Sequence, residues 1–402
     1  MPDPNSNIKT QGSQAAGDGA TPEQPPAAPI KSRGLEGVTA LDTELSFIDG
    51  QKGVLIYHGY DIRDLAAHTT FEEVAYLLWN GKLPDRKELD ELNEQLRSHR
   101  TVPDGLLQIL RMIPRDANPM AALRTATSAL ALFDPEADEM SREANYRKTV
   151  RLQAQIATVI AAFDRLRKGK EPVAPLKTGS TAADFLYMLN GEEPGPSAER
   201  TFDACLVLHA EHGLNASTFT ARVIGSTLAD IYSAVTGAEG ALKGPLHGGA
   251  NIQVMHMLED ITRTGADPAQ YVRDKLARKE RIMGFGHRVY KVFDPRALIL
   301  RDMAVELSEE KGQREWYDIS VKIMEAVEQE KGLYPNVDFF SASVYHMLGI
   351  DTDLFTPIFA LARMSGWTAH LLEQWQDNRL IRPRAEYVGP RDLKVTPIDQ
   401  RS

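Results

Sequence analysis

The chain has almost no cysteine: Cys205 is the only one among 402 residues. A single thiol excludes an intramolecular disulfide and any metal site built from several cysteines. The sequence also lacks a run of about 18 apolar residues, so it offers no candidate for a membrane-spanning helix. The first ten residues, MPDPNSNIKT, have neither the charged and apolar regions of a secretory signal nor the Arg-rich character of a transit peptide. We therefore expect a cytoplasmic enzyme of a prokaryote.

Net positive charge is lacking as well. The formal net charge of -10 argues against general nucleic-acid binding, which requires a basic face. An acidic protein that binds an anion must gather its cations locally, because its overall field repels the ligand. The length allows two or more domains, since single cores stop growing at about 250–300 residues.

Large apolar side chains are scarce in residues 1–34, where only Met1, Ile8 and Ile30 occur beside six prolines and four glycines. Such a segment buries too little surface to offset its ordering entropy, so we predict a disordered tail over residues 1–34. A short C-terminal tail is expected over residues 396–402.

Strand signals are confined to the segment Leu41–Tyr60, where two apolar stretches flank the turn signal Asp49-Gly50. Helix signals dominate the rest; Thr70 and Glu73, for example, have the spacing of a capping box. The predicted fold class is all-α with a minor β-hairpin near the N-terminus.

Three segments combine chemistry-bearing residues with unusual surroundings. In residues 243–251 (KGPLHGGAN), His247 lies among three glycines and a proline, just before a helical apolar pattern. Glycines let a ligand approach the backbone closely, and the positive end of a helix dipole favours a neutral imidazole. The alternative is a histidine in a turn that only caps the helix.

The second segment, residues 281–291 (RIMGFGHRVYK), places His287 after two glycines and among cations. Arg296 falls in the first turn of the next helix, which Asp294 and Pro295 begin, and a guanidinium there can hold a carboxylate. Because Asp294 opposes this, we expect its side chain to be occupied in capping. The alternative is a solvated basic loop.

The third segment, residues 334–341 (YPNVDFFS), surrounds Asp338 with apolar and aromatic neighbours. Desolvation raises the pKa of a carboxyl group toward the range of a general base. The alternative is a helix N-cap. His209 and His212 have a spacing that metal ligands sometimes use, but no acidic or cysteine partner stands at ligand spacing, and we predict no metal site.

Together these segments resemble the signature regions of the citrate synthase family, in the family's order, and the resemblance extends from about Leu35 to Pro390. It implies condensation of acetyl-CoA with oxaloacetate and water to give citrate and CoA. By the same resemblance Asp338 is the base that removes a methyl proton, His247 hydrogen-bonds the thioester oxygen, and His287 polarises the ketone of oxaloacetate and protonates the new alkoxide.

The resemblance also implies the residues that bind the substrates. The carboxylates of oxaloacetate are assigned to His212, Arg296, Arg363 and Arg382. Taken alone, Arg363 reads as an ordinary helix residue and Arg382 as a tail charge. CoA is assigned to the loop Met283, Gly284, Phe285 and Gly286, with Arg288 and Lys291 as candidates for its phosphates. No cofactor is expected, since acetyl-CoA is a substrate.

At the level of organisation, the resemblance implies a homodimer in which Arg382 reaches the partner's site. It also implies a large domain formed by residues 35–250 and 343–395, with an inserted small domain at residues 251–342 that closes over the substrates. Two other functions stay open: a 2-methylcitrate synthase that uses propionyl-CoA, and an inactive CoA-binding scaffold.

Overall fold

The computed structural model describes residues 33–287 and 289–401. These residues form sixteen α-helices and three short β-strands, which confirms the all-α prediction. Residues 1–32 of the predicted tail lie outside the described residues, as does Ser402. Contacts divide the chain between Asp42 and Thr43. The described part of the first unit contains one 3-10 helix, Arg33–Leu35.

The predicted hairpin forms the beginning of the second unit. Strands β1 (Ser46–Asp49) and β2 (Val54–Tyr57) pair antiparallel, with Ser46 opposite Tyr57. A third strand, β3 (Tyr60–Asp61), pairs with β2 and makes a three-stranded sheet. The chain reverses between β2 and β3 at His58 and Gly59, whose φ angles are 43° and 90°. The sequence signal predicted only two strands because it did not reveal this second, tight reversal.

Helices α1 to α10 follow the sheet without further strands. Their bounds are α1 Ile62–His68, α2 Phe71–Asn80, α3 Arg86–Ser98, α4 Asp104–Met112, α5 Pro119–Leu130, α6 Arg142–Arg167, α7 Thr181–Asn190, α8 Pro196–His209, α9 Ala216–Gly225 and α10 Ile231–Leu242. The capping box predicted for α2 is present: Thr70 Oγ1 accepts from the Glu73 N–H, and the Glu73 carboxylate accepts from the Thr70 N–H.

Six further helices complete the described chain: α11 Ala250–Thr264, α12 Pro268–Ala277, α13 Pro295–Glu310, α14 Arg314–Lys331, α15 Val337–Met347 and α16 Phe355–Gln376. Short 3-10 helices occur at Ala131–Phe133, Thr352–Leu354 and Ile398–Gln400. As predicted, Asp294 caps α13 and Pro295 occupies its first position. The division into a large domain and a small domain at residues 251–342 stays a prediction.

The core is organised around α16, in which every residue from Phe355 to Leu371 is buried. A helix that is buried on all faces needs neighbours on all sides, and α2, α6, α8, α9 and α10 pack around it. Among the described helices, none is long and apolar enough to cross a bilayer. The buried position of α16 brings Arg363 and Trp367 beside the loops that precede α9 and α11.

Candidate active site

His212 lies in the short loop between α8 and α9, which two strands of the sheet hold in place. The Tyr57 hydroxyl donates to the Glu211 carbonyl oxygen at 2.7 Å and accepts from the Glu211 N–H at 3.2 Å. The Glu211 carboxylate is fully buried and accepts from Ser46 Oγ at 3.0 Å and contacts His370 Nε2 at 3.1 Å. With its backbone and side chain both fixed, Glu211 anchors the next residue, His212.

The carboxylate of Glu211 remains ionised despite its burial. Burial opposes ionisation, but His370, Arg363 and the Ser46 hydroxyl together hold its pKa below the ordinary value. Glu211 therefore supplies a fixed negative charge behind the loop. This charge partly balances the buried guanidinium of Arg363, on whose pKa it is the largest opposing influence.

His247 lies in the turn before α11, and backbone hydrogen bonds fix the conformation of this turn. The backbone N–H of His247 donates to the Gly244 carbonyl at 2.9 Å, and the backbone N–H of Gly248 donates to the Leu242 carbonyl at 2.9 Å. A Cβ at Gly248 would lie 2.6 Å from that same Leu242 oxygen, so the close approach requires glycine. The alternative of a cap is wrong for this histidine, because α11 has no side-chain cap.

The imidazole of His247 is oriented by Ser217. Its Nε2 lies 2.8 Å from Ser217 Oγ, which donates to Asn215 Oδ1 at 2.7 Å and accepts from Trp367 Nε1. Asn215 Oδ1 already accepts the backbone N–H groups of Ser217 and Thr218. The contact with Ser217 fixes the orientation of the His247 ring through Nε2. Burial, with a smaller contribution from Arg363, lowers the pKa of His247 to about 4.

His287 is fixed by its own loop. Its Nδ1 accepts from the backbone N–H of Val289 at 3.0 Å and of Tyr290 at 3.2 Å. Because Nδ1 is an acceptor, the neutral ring carries its proton on Nε2. Burial, followed by the charge of Arg296, lowers the pKa of His287 to about 4. The ring therefore has a defined tautomer and remains uncharged at neutral pH.

His212 and His287 stand together. Their ring centroids are 5.3 Å apart, and Tyr290 bridges them: its ring is 4.8 Å from that of His287, and its hydroxyl is 3.2 Å from His212 Nε2. Burial and the charge of Arg296 keep the pKa of His212 well below its ordinary value.

Asp338 is brought to the same region by a pairing between two loops. The Gly286 N–H donates to the Tyr334 carbonyl at 3.0 Å, and the Asn336 N–H donates to the Gly284 carbonyl at 2.9 Å. Asn336 is also the N-cap of α15 and accepts from the Asp338 N–H. The N-cap alternative for Asp338 is therefore wrong, and its carboxyl group is not used in capping α15.

The carboxyl group of Asp338 is desolvated. Its Oδ1 is shielded from solvent and has no hydrogen-bond partner among the described residues. Burial raises its pKa from 3.8 to about 6, although Arg296 and Arg363 act in the opposite direction. A carboxyl group with this pKa is largely ionised at neutral pH and more basic than an ordinary aspartate.

Two buried guanidinium groups lie beside these residues. Arg363 donates through Nε to the His209 carbonyl at 2.7 Å, and its guanidinium lies 4.8 Å from the centroid of the Phe359 ring. In the described part of the chain, no carboxylate lies within salt-bridge distance of it. Burial lowers its pKa to about 10, so it remains charged at neutral pH. Such a cation is a ready partner for an anionic ligand.

Arg296, unlike Arg363, is paired with a carboxylate. Asp294 accepts from its Nε at 3.0 Å and from its Nη2 at 2.8 Å, and the same carboxylate accepts from the Val337 N–H at 3.2 Å. Asp294 therefore caps α13 as expected, and in addition it pairs with the guanidinium and ties α13 to α15. Only the remaining N–H groups of Arg296 can face a substrate.

The other predicted residues lie elsewhere or outside the description. Arg382 is exposed in the extended segment after α16, and no hydrogen bond or ion pair joins it to the cluster within the described residues. Phe285 packs its ring against Phe339 with centroids 4.6 Å apart. Lys291 is exposed, and its backbone N–H donates to the Gly50 carbonyl. Arg288 lies outside the described residues.

Several residues of the cluster were not singled out from the sequence, namely Ser217, Tyr290, Glu211 and His370. Tyr290 stands inside the segment 281–291, but nothing in its spacing indicates a hydroxyl that bridges two histidines. No group of three or more His, Cys, Asp or Glu side chains that could hold a metal ion occurs in residues 33–287 or 289–401.

Over most of its length the chain is similar to known proteins. The family model for the citrate synthase C-terminal domain matches residues 34–384. The citrate synthase of Haloferax volcanii is 54% identical, covering 92% of this chain and 98% of that protein. Citrate synthase 2 of Bacillus subtilis is 55% identical, with 92% and 99% covered. The structure of Thermoplasma acidophilum citrate synthase with carboxymethyl coenzyme A and oxaloacetate matches with a TM-score of 0.85, 35% identity, and 92% and 98% covered.

Proposed function

The chain belongs to the citrate synthase family, and from this membership we propose that it condenses acetyl-CoA with oxaloacetate and water to give citrate and CoA. One observation supports the residue assignments most strongly. The pKa of Asp338 is raised to about 6, whereas the pKa values of His247 and His287 are lowered to about 4. At neutral pH the cluster thus offers one carboxylate base and two neutral imidazole donors.

The first step is enolisation of the acetyl group. Asp338 removes a proton from the methyl carbon, and His247 donates a hydrogen bond from Nδ1 to the thioester oxygen as negative charge develops there. A thioester methyl group is a weak carbon acid, so the base needs a preorganised donor on the oxygen. Because Ser217 occupies Nε2 of His247, Nδ1 is the nitrogen left for the thioester oxygen, and it carries the proton once the Ser217 hydroxyl turns from Asn215 Oδ1 to Nε2.

The second step joins the two substrates. The enol carbon attacks the ketone carbon of oxaloacetate while His287 donates from Nε2 to the ketone oxygen and then protonates the alkoxide. The backbone N–H groups of Val289 and Tyr290 occupy Nδ1 of His287, so its one proton is directed away from them. Water then hydrolyses the citryl thioester and releases CoA. Each step uses side chains of the protein and no cofactor.

Oxaloacetate binding falls to the two guanidinium groups of the cluster and to the neutral imidazole of His212. His212 lies beside the ketone donor His287, and the charges of Arg296 and Arg363 act on the His212 ring. Guanidinium groups suit carboxylates because they bind bidentately. This local positive charge overcomes the net charge of -10. In this proposal the loop Met283–Gly286 binds CoA, and Lys291 is a candidate for its phosphates.

The active unit in this proposal is a homodimer in which Arg382 completes the partner's site. The segment after α16 supports it, because this extended segment exposes several large apolar side chains: Leu380, Tyr387, Val388, Leu393, Val395 and Ile398. Exposed apolar side chains in sequence are typical of a surface that packs on another protein. Arg382 lies within the same segment.

Mixing two inactive variants tests the shared site. Asp338→Asn and Arg382→Leu each remove one of the two groups, and subunit exchange at equal concentrations makes about half of the dimers mixed. In each mixed dimer one site has both lesions and the other has none, so activity should recover to roughly a quarter of wild type. If mass spectrometry verifies exchange and activity stays at the level of the parents, Arg382 serves its own subunit.

The function itself is tested by CoA release from the purified protein. With oxaloacetate present, acetyl-CoA should be turned over at a higher kcat/KM than propionyl-CoA, with one citrate formed for each CoA. Preference for propionyl-CoA would identify a 2-methylcitrate synthase. Release from neither thioester would indicate a CoA-binding protein without this activity.

A further inference from the structure

The turn of the β1–β2 hairpin touches the loop that carries His287. The Lys291 N–H donates to the Gly50 carbonyl at 2.8 Å, and a Cβ at Gly50 would lie 2.1 Å from the Val289 carbonyl oxygen. On the other side of the turn, a Cβ at Gly53 would lie 2.7 Å from the Phe293 carbonyl oxygen. The hairpin and residues 289–293 therefore meet backbone to backbone, with no room for a side chain between them.

Backbone conformation does not explain why residue 50 is glycine. Gly53 has a φ of 65°, which favours glycine by itself, but Gly50 is outside the left-handed region. What requires glycine at position 50 is the approach of Val289. A contact under 3 Å with a backbone oxygen cannot be relieved by rotating a side chain, so a methyl group there must displace the loop.

The residues that the hairpin contacts are the ones that orient His287. The Val289 N–H is one of the two donors to His287 Nδ1, and the Tyr290 N–H, which stands between the contacts at Val289 and Lys291, is the other. Tyr290 also reaches His212 with its hydroxyl group. A shift of residues 289–291 would therefore change the hydrogen bonds that fix the tautomer of His287.

The turn is itself rigid. Asp49 Oδ1 accepts from the N–H groups of Gln51 and Lys52 at 3.0 and 3.1 Å, and Arg63 donates to the Gly53 carbonyl at 3.1 Å. Because these hydrogen bonds make the turn rigid, the turn can fix the position of the loop that it contacts. The hairpin belongs to the predicted large domain and the loop to the predicted small domain, so this contact joins the two.

We propose that Gly50 is a positioning residue for catalysis: the hairpin turn holds residues 289–291 in the conformation that keeps the proton of His287 on Nε2. Gly50 touches no substrate and acts only through the backbone of that loop. The proposal rests on the role assigned to His287 under the proposed function.

The test compares Gly50→Ala with Gln51→Ala, an exposed position in the same turn whose backbone bond to Asp49 is kept. Displacement of a catalytic group by about 1 Å costs on the order of 10²-fold. Gly50→Ala should therefore lower kcat by roughly tenfold to hundredfold with a smaller change in the KM for acetyl-CoA. Gln51→Ala should keep kcat within about twofold of wild type. The KM for each substrate and the melting temperature are measured in parallel.

A second readout separates positioning from simple loss of structure. In nitrogen-15 NMR of the substrate-free protein, with the His287 ring assigned by loss of its signals in His287→Gln, the wild type should show an unprotonated Nδ1 and a protonated Nε2. Gly50→Ala should shift this signature toward a mixture of tautomers. If Gly50→Ala does not fold, Asp49→Ala loosens the turn without adding atoms and should change kcat and the signature in the same direction.

Two results would overturn the proposal. One is wild-type kcat in folded Gly50→Ala, or in Asp49→Ala if only that variant folds. The other is lost activity with an unchanged His287 signature, because the glycine would then be needed only for stability. Failure of the proposed function is distinguishable from both, since the wild-type protein would form no citrate while the NMR comparison could still be made.

Discussion

Replacing Asp338 with Asn should make the protein inactive and more stable at the same time. Burial removes the ionised carboxyl group from water and so raises its pKa from 3.8 to about 6, by about two pH units. At about 1.4 kcal/mol per unit, the ionised group destabilises the folded protein by ~3 kcal/mol above pH 6. Asparagine has nearly the same shape and no charge, so it removes this penalty.

The pH dependence of the gain follows from proton binding. Because the folded state binds the Asp338 proton more tightly than the unfolded state, this residue makes stability fall as pH rises from about 4 to about 6. The stability advantage of Asp338→Asn should therefore be nearly absent at pH 4, grow through this window and level off above pH 6. For a chain of this size it amounts to several degrees in melting temperature.

The assay is thermal unfolding of both proteins from pH 4 to pH 8, together with CoA release at pH 8. We expect activity to fall by about 10²–10⁴-fold, the usual contribution of a general base. Asp90→Asn, at an exposed position on α3, is the matched control and should change neither quantity. Equal or lower stability of Asp338→Asn at pH 8, or a gain that does not depend on pH, would refute the argument that this carboxyl group is desolvated.

Three further results are expected. The acid limb of kcat/KM should fall at a pKa of about 6, and a limb near pH 4 would show that Asp338 is not the titrating base. Ser217→Ala should lower kcat by roughly tenfold to hundredfold with little change in KM, because His247 loses the partner that orients its ring; an unchanged kcat would contradict this role. Arg363→Lys should raise the KM for oxaloacetate by at least about tenfold and leave that for acetyl-CoA within about twofold, and equal effects on both would indicate general disruption.

Local sequence signals were sufficient where the structure depends on neighbours in the chain. The cap at Thr70, the start of α13 at Asp294 and the first hairpin all rest on residues within a few positions of one another. His247, His287 and Asp338 also have distinctive neighbours, glycine or aromatic residues, but these local contexts leave alternatives open, and the roles come from the resemblance of the three segments to the citrate synthase family.

Sequence signals failed where a role depends on contacts between distant parts of the chain. Ser217 meets His247 across 30 positions and Glu211 meets His370 across 159, so neither pairing leaves a local pattern. Gly50 is similar: its sequence context indicates only a turn, and the need for glycine arises from the approach of Val289, far along the chain.

The most direct test of the central claim follows the fate of a methyl hydrogen of the thioester. Acetyl-CoA with a fully deuterated methyl group is incubated with oxaloacetate and the purified protein, and the product is analysed by mass spectrometry. If Asp338 removes one hydrogen to form the enol, the product is citrate that keeps two of the three deuterium atoms, and Asp338→Asn forms almost none. Formation of the same labelled citrate by Asp338→Asn at a rate near that of wild type would contradict the account.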